Sequence, residues 1–307
     1  MSDSNEFLIF TGKTDMIGHT TKAGVKLTGY IVDGRISPHT TIEEELWDKF
    51  DCIIYKGLYK GKTVAVKFDY NQLRSGVSTT TTALNMFKEH NIPIYEWFID
   101  SFEDEYECDI SLIVMEQLSP VVKEQTLTML STIIPMCFKY KSFMAHGDIK
   151  PDNIMYSKST NTHYLIDYDN VSMEPLMYGY IRTAQTPLYA TQSLIATPTI
   201  ITLKQDLIEL ILSANSIYYG EEAFGPDRRY KQQSMIWNKD KFTPKRMFST
   251  LYLCALNIDE RNITDVDEKL LLHIVELLTQ KTNDKLSLIQ DMITIKHYTN
   301  TQILQNL

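Results

Sequence analysis

At 307 residues, 43% hydrophobic and 22% charged, the chain is long enough for one large globular unit or two closely packed lobes. Its formal charge of -9 speaks against wholesale binding to nucleic acid or to an anionic membrane surface. The four scattered cysteines, Cys52, Cys108, Cys137 and Cys254, share no metal-ligand spacing and fit a reduced, intracellular protein better than a disulfide framework.

The opening Met1-Ser-Asp-Ser-Asn-Glu6 is acidic where a signal peptide needs positive charge and a following apolar run. No window approaches the roughly 20 apolar residues needed to span a bilayer. The expectation is therefore a soluble protein of the cytoplasm or nucleus. A basic stretch from Arg228 to Arg246 is diluted by Asp227 and Asp240 and reads as a solvated face.

In chain order, residues 1–45 form an appended segment, with alternation over Lys26–Val32 that suggests a hairpin. Ile53–Phe68 holds two β-rich runs around a glycine-containing turn, an antiparallel hairpin. A helix follows at about 80–89, then strands at Ile94–Ile99 and Ile110–Met115. Apolar residues recur at helical spacing from Lys123 to Met144, interrupted by Pro135. Short strands come at Ile154–Tyr156 and Tyr164–Ile166, and helices at Leu203–Ser216, Pro244–Ala255 and Glu268–Thr279. Strands first and helices afterwards predict an α+β protein of segregated halves, divided near Leu118.

The run His146-Gly147-Asp148-Ile149-Lys150-Pro151-Asp152-Asn153-Ile154, followed by Leu165-Ile166-Asp167, carries the chemistry. It sets a carboxylate, a cation, an amide and a second carboxylate at fixed offsets along a loop and hairpin. Phosphoryl transfer from a nucleotide needs such groups: a proton acceptor near the attacking hydroxyl, positive charge near the moving phosphoryl, and oxygen ligands for Mg²⁺.

This order closely resembles the catalytic loop and metal motif of eukaryotic-type protein kinases. The resemblance covers roughly residues 45–265 and implies a bilobal fold: an extension over 1–45, a small β-rich lobe over 46–118 and a larger helical lobe over 119–307. It implies ATP and Mg²⁺ as cofactors and a protein substrate, with room for a regulatory protein partner. In that family Asp148 would accept or orient the hydroxyl proton, Lys150 would stabilise the γ-phosphoryl charge, and Asn153 and Asp167 would hold Mg²⁺. Lysine two residues past the aspartate is the pattern of serine/threonine kinases. Val64-Ala65-Val66-Lys67 resembles the lysine strand, so Lys67 would hold the α- and β-phosphates. Ile54 and Ala65 would line the nucleotide from that hairpin, and Met155 would form the floor beneath adenine. Met115 would be the gatekeeper, with the backbone of Glu116 and Leu118 meeting adenine. Gln185-Thr186-Pro187-Leu188-Tyr189-Ala190 resembles the close of an activation segment, with Thr186 bonded to Asp148 and Lys150. Asp206 matches the helix aspartate that props the catalytic loop, and Asp259-Glu260-Arg261 with Thr264 faintly echoes a late helical motif.

Several family parts are missing. The phosphate loop should lie at Trp47–Cys52, which has no glycine, whereas glycine lets backbone N–H groups approach phosphate closely. No acid lies between Asp69 and Glu89 to pair with Lys67. The metal motif reads Asp167-Tyr168-Asp169, the usual Ala-Pro-Glu reads Thr191-Gln192-Ser193, and Gly147 replaces an arginine that grips a phosphorylated activation loop. The interval from Met115 to Asp148 also leaves out a small helix. Compact size and eroded motifs resemble kinases carried by large DNA viruses or bacterial effectors. Three readings stay open: a divergent serine/threonine kinase, a pseudokinase acting through its surface, and a small-molecule phosphotransferase, which Ile166-Asp167-Tyr168-Asp169 suggests and Lys150-Pro151 opposes.

Overall fold

The computed structural model describes residues 16–32, 35–37, 54–68, 79–103, 109–141, 144–168, 171–173, 189, 202–220, 223, 246–259 and 262–280. It is an α+β protein in two compact units. The chain passes from the first to the second at Ser119/Pro120, and Thr82–Ile94 belongs with the second unit.

The first unit is an antiparallel sheet. Its strands are β1 (Lys26–Val32), β2 (Arg35–Ser37), β3 (Ile54–Tyr59), β4 (Lys62–Phe68), β5 (Trp97–Glu103) and β6 (Asp109–Glu116), in the spatial order β2-β1-β3-β4-β6-β5. Residues 26–32, expected in an appended segment, are thus a strand of the sheet itself. They pair with β2 as the suggested hairpin and with β3 on the other side. The strand beside the β3–β4 hairpin in the sheet is β1, and the glycine-poor stretch 47–52 lies outside the described residues.

The β3–β4 turn is set by its two central residues. Lys60 at φ 49° and Gly61 at φ 76° are both left-handed, as a two-residue hairpin whose twist matches the strands requires. Alternation then assigns the faces. Tyr55, Val64, Val66, Leu112 and Val114 point one way and pack on Met16, Val25 and Leu27 in a dry cluster. Gly57 lies on the same face, where a Cβ would come within 2.9 Å of Val25 and 3.0 Å of Val64, so no larger residue fits without repacking. The turn ahead of β1 is pinned to β5: Lys22 N–H donates to the Ser101 carbonyl at 2.7 Å, and Ala23 N–H to Asp100 Oδ1 at 3.0 Å.

A two-residue strand, β7 (Ser119–Pro120), lies where the chain leaves this unit. The second unit contains most of α1 (Thr79–Glu89), then α2 (Thr126–Tyr140), α3 (Leu203–Tyr219), α4 (Arg246–Leu256) and α5 (Asp265–Gln280). Helix α1 ends in a left-handed Asn91 (φ 52°), with Ile92 N–H donating to the Phe87 carbonyl at 2.9 Å, a Schellman close. Helix α2 runs unbroken through Pro135, where an interruption was expected, and packs against α3 and α5. Its burial of Met129, Leu130, Ile133, Ile134, Met136 and Cys137 holds it in place despite the N–H that proline lacks. Helix α3 is buried on nearly every side from Gln205 to Asn215, the pattern of a central helix. Asp267 caps the start of α5, its Oδ2 accepting both Thr264 N–H and the Thr264 hydroxyl at 2.9 Å, while its own N–H donates to the Thr264 carbonyl at 3.0 Å. That cap accounts for Thr264 locally; Arg261 lies outside the described residues.

Among the described residues, no helix is long and apolar enough to cross a membrane.

Candidate active site

The loop that carries Asp148 enters from β8 (Met144–Ala145), which pairs with β11 (Ser172–Met173), and leaves into β9 (Ile154–Ser157) and β10 (Thr162–Leu165). Local chemistry shapes it. Gly147 takes φ 80°, a left-handed conformation that costs a side-chain-bearing residue about 1–2 kcal/mol. Lys150 is extended (φ -141°, ψ 165°) because a proline follows, and Pro151 opens a single 3-10 turn over Pro151–Asn153.

Around this turn the groups converge on Asp148. Lys150 Nζ lies 3.0 Å from Asp148 Oδ2. Asn153 Nδ2 donates to the Asp148 carbonyl at 2.9 Å and lies 3.4 Å from Asp148 Oδ2. Asp148 and Asn153 are nearly buried, and Lys150 half so. Burial pulls the Lys150 pKa down, but the charge and hydrogen bond of Asp148, with Asp167 and Asp152 behind them, outweigh it and leave the ammonium above its usual range. Lys150 is therefore a fixed cation at neutral pH, and Asp167 is close enough to act on it.

His146 links the loop to the second carboxylate. Its Nδ1 accepts from Asp148 N–H at 3.3 Å, so Nε2 carries the proton and donates to the Ile166 carbonyl at 2.9 Å. Ile166 N–H donates in turn to the Asn153 carbonyl at 2.9 Å. These two bonds place Asp167, at φ 66°, beside the loop; a non-glycine residue in that region is a local strain that the surroundings must hold. Tyr168 packs on His146 at 5.0 Å and edge-on against Phe87 of α1 at 4.8 Å, and its hydroxyl donates to the Leu165 carbonyl at 2.8 Å.

Helix α3 supports the loop from below. Asp206, fully buried, accepts His146 N–H on Oδ2 at 2.7 Å and Gly147 N–H on Oδ1 at 2.8 Å, the propping role expected of it. Glu209 accepts Ile149 N–H at 2.7 Å, and the Ser213 hydroxyl donates to the Ile149 carbonyl at 3.2 Å. Sequence reading missed both. The available signal was Glu209 inside the apolar run Leu207-Ile208-Leu210-Ile211-Leu212, with Ser213 directly after it, since a charge on a buried helix has to be paired. Tyr189 also docks on α3, 3.4 Å from Ser216 Oγ. Thr186 lies outside the described residues, as does Asp169.

In the sheet unit, strand register gathers the other candidates on one face. Ile54 stands opposite Lys67, and Ala65 opposite Met115. All four lie on the face away from the Val25–Leu27 cluster, with Lys67 half-buried and Ala65 and Met115 buried. Glu116 N–H is already bonded to the Glu96 carbonyl at 3.2 Å, and Leu118 follows just past β6. Met155 belongs to the other unit, on β9 opposite Tyr164.

Among the described residues, no three His, Cys, Asp or Glu side chains gather as a self-contained metal site. The donor set suits Mg²⁺ nonetheless, because that ion keeps waters and shares ligands with substrate phosphates, needing one or two protein oxygens. Asn153 fits: its amide nitrogen is held by Asp148, so its oxygen is the group it presents.

No protein-family model matches the chain, and no curated protein matches it. Among solved structures, it is similar to the kinase PK-1 of Cydia pomonella granulovirus at a TM-score of 0.49 and 13% identity, over 89% of this chain and 94% of that one.

Proposed function

We propose that this chain transfers the γ-phosphoryl group of ATP, bound with Mg²⁺, to serine or threonine hydroxyls of protein substrates. One observation carries the reading: Lys150 and Asn153 are both bonded to Asp148 on a loop whose backbone is gripped by buried carboxylates. Catalysis of this kind is mostly positioning and electrostatic stabilisation, so a rigid carboxylate–cation–amide set is the part that matters most.

The Asp148 carboxylate takes the proton of the attacking hydroxyl. Lys150, held protonated by the acids around it, faces the negative charge of the moving phosphoryl. Asn153 and Asp167 are the oxygen donors for Mg²⁺, which would neutralise the phosphates. Thr186 would hydrogen-bond Asp148 and Lys150. Lys67 is the candidate for the α- and β-phosphates; Ile54, Ala65, Met115, Met155 and the backbone of Glu116 and Leu118 are the candidates for adenine. The alternative is a partner-binding chain without transfer, and it draws on Thr79–Lys88 of α1, which carries no acid to pair with a lysine.

The test is γ-phosphate transfer from radiolabelled ATP–Mg²⁺ to a mixed protein substrate and to the chain itself. Wild-type protein transfers label, and Asp148→Asn loses transfer while still binding nucleotide, since it removes a proton acceptor and no phosphate contact. Equal rates from the two proteins would refute the assignment. No label, with no thermal shift on adding ATP, would favour the partner-binding chain.

A further inference from the structure

We infer that Glu209 and Ser213 are positioning residues for the transfer step, acting by fixing the Ile149 peptide from both sides. The inference rests on the proposed function and adds to it two residues that no motif marks.

Asp206, Glu209 and Ser213 recur at three- and four-residue spacing on α3 and so share one face. Asp206 takes the amides of His146 and Gly147; Glu209 takes the next one free, that of Ile149. The Ile149 N–H lies in the peptide plane that also carries the Asp148 carbonyl, which accepts from Asn153. The Ile149 carbonyl, bonded by Ser213, lies in the plane that carries the Lys150 nitrogen. One helix face thus sets the peptide planes on both sides of Ile149, and with them the directions in which Asp148 and Lys150 leave the backbone. All three residues of this clamp are at most 2% exposed. A charge-assisted bond there is stronger than a neutral one, and its loss orphans a buried amide. Packing alone would favour an apolar side chain over a buried carboxylate at this position.

The experiment uses the full chain with Glu209→Ala, Glu209→Gln and Ser213→Ala. It measures kcat and the KM for ATP on a mixed protein substrate, and amide hydrogen exchange at Ile149 in the absence of nucleotide. The expected result for Glu209→Ala is a kcat lower by about ten- to a hundredfold, with KM within about twofold and Ile149 exchange faster by a similar factor. Glutamine keeps an acceptor oxygen and restores most of kcat, which a general loss of packing would not predict. Ser213→Ala introduces no new charge or bulk; it gives a smaller fall in kcat and keeps the inference testable if Glu209→Ala does not fold. Wild-type kcat in a folded Glu209→Ala or Ser213→Ala variant overturns the clamp. So does a loss that glutamine fails to recover. Absence of transfer in the wild type overturns the kinase reading instead, and exchange at Ile149 then still reports whether Glu209 holds that amide.

Discussion

Replacing Asp206 by alanine should be among the most damaging single changes in the helical unit. The carboxylate is fully buried and accepts two backbone amides, at 2.7 and 2.8 Å, from a loop about sixty residues earlier in the chain. Alanine leaves both N–H groups buried without an acceptor. At about 1–3 kcal/mol for each orphaned donor, the cost comes to about 2–6 kcal/mol. That is a large share of the roughly 5–15 kcal/mol by which a domain is stable. Asparagine should recover little, because its one oxygen can serve only one amide and its NH₂ would face the other donor. The assay is urea unfolding followed by far-ultraviolet circular dichroism, which reports mainly on α2 to α5. A loss under about 1 kcal/mol for both variants would refute the reasoning, because it would mean the two amides find other partners at no cost.

Two further outcomes follow from burial. His163 is 1% exposed and neither ring nitrogen has a hydrogen-bond partner, so burial lowers its pKa below the ordinary 6.5. The unfolded chain then binds a proton that the folded one resists: the associated stability is full above pH 6.5 and is lost as pH falls through 6.5 towards the folded value. Urea midpoints between pH 7 and 5 should fall more steeply for wild type than for His163→Phe, and parallel slopes would exclude His163 as the cause. Gly57→Ala would push a methyl to 2.9 Å from Val25 and 3.0 Å from Val64, so it should cost about 1–3 kcal/mol in thermal unfolding of the sheet unit. An unchanged melting temperature would show that the valines rotate away freely.

Much of this protein was legible from local rules. Lys60-Gly61 between two β-rich runs specifies a left-handed two-residue turn, and the hairpin forms there. Lys150 before Pro151 specifies an extended residue entering a turn, and the loop adopts it. The order of Asp148, Lys150 and Asn153 within six residues favours their proximity, because the turn over Pro151–Asn153 folds the chain back and returns Asn153 to Asp148.

Contacts between distant segments were decided by the tertiary structure. The alternation of Lys26–Val32 announced a strand but not its partner, since a strand's pattern fixes which residues face the core and not which neighbour it pairs with. The pattern of residues 80–89 announced a helix but not what it packs on. Phe87 packs on Tyr140 and Tyr168, and most of the helix groups with the second unit. Glu209 reads in the sequence as one more acid on a helix. Only the burial of α3 on nearly every side, and the arrival of an unpaired loop amide from sixty residues away, make it a hydrogen-bond acceptor. The sequence by itself determined the chemical groups and their short-range geometry, because those follow from covalent spacing and backbone preference. The partners of buried amides came from the fold, because desolvation acts on whatever the folded chain brings together.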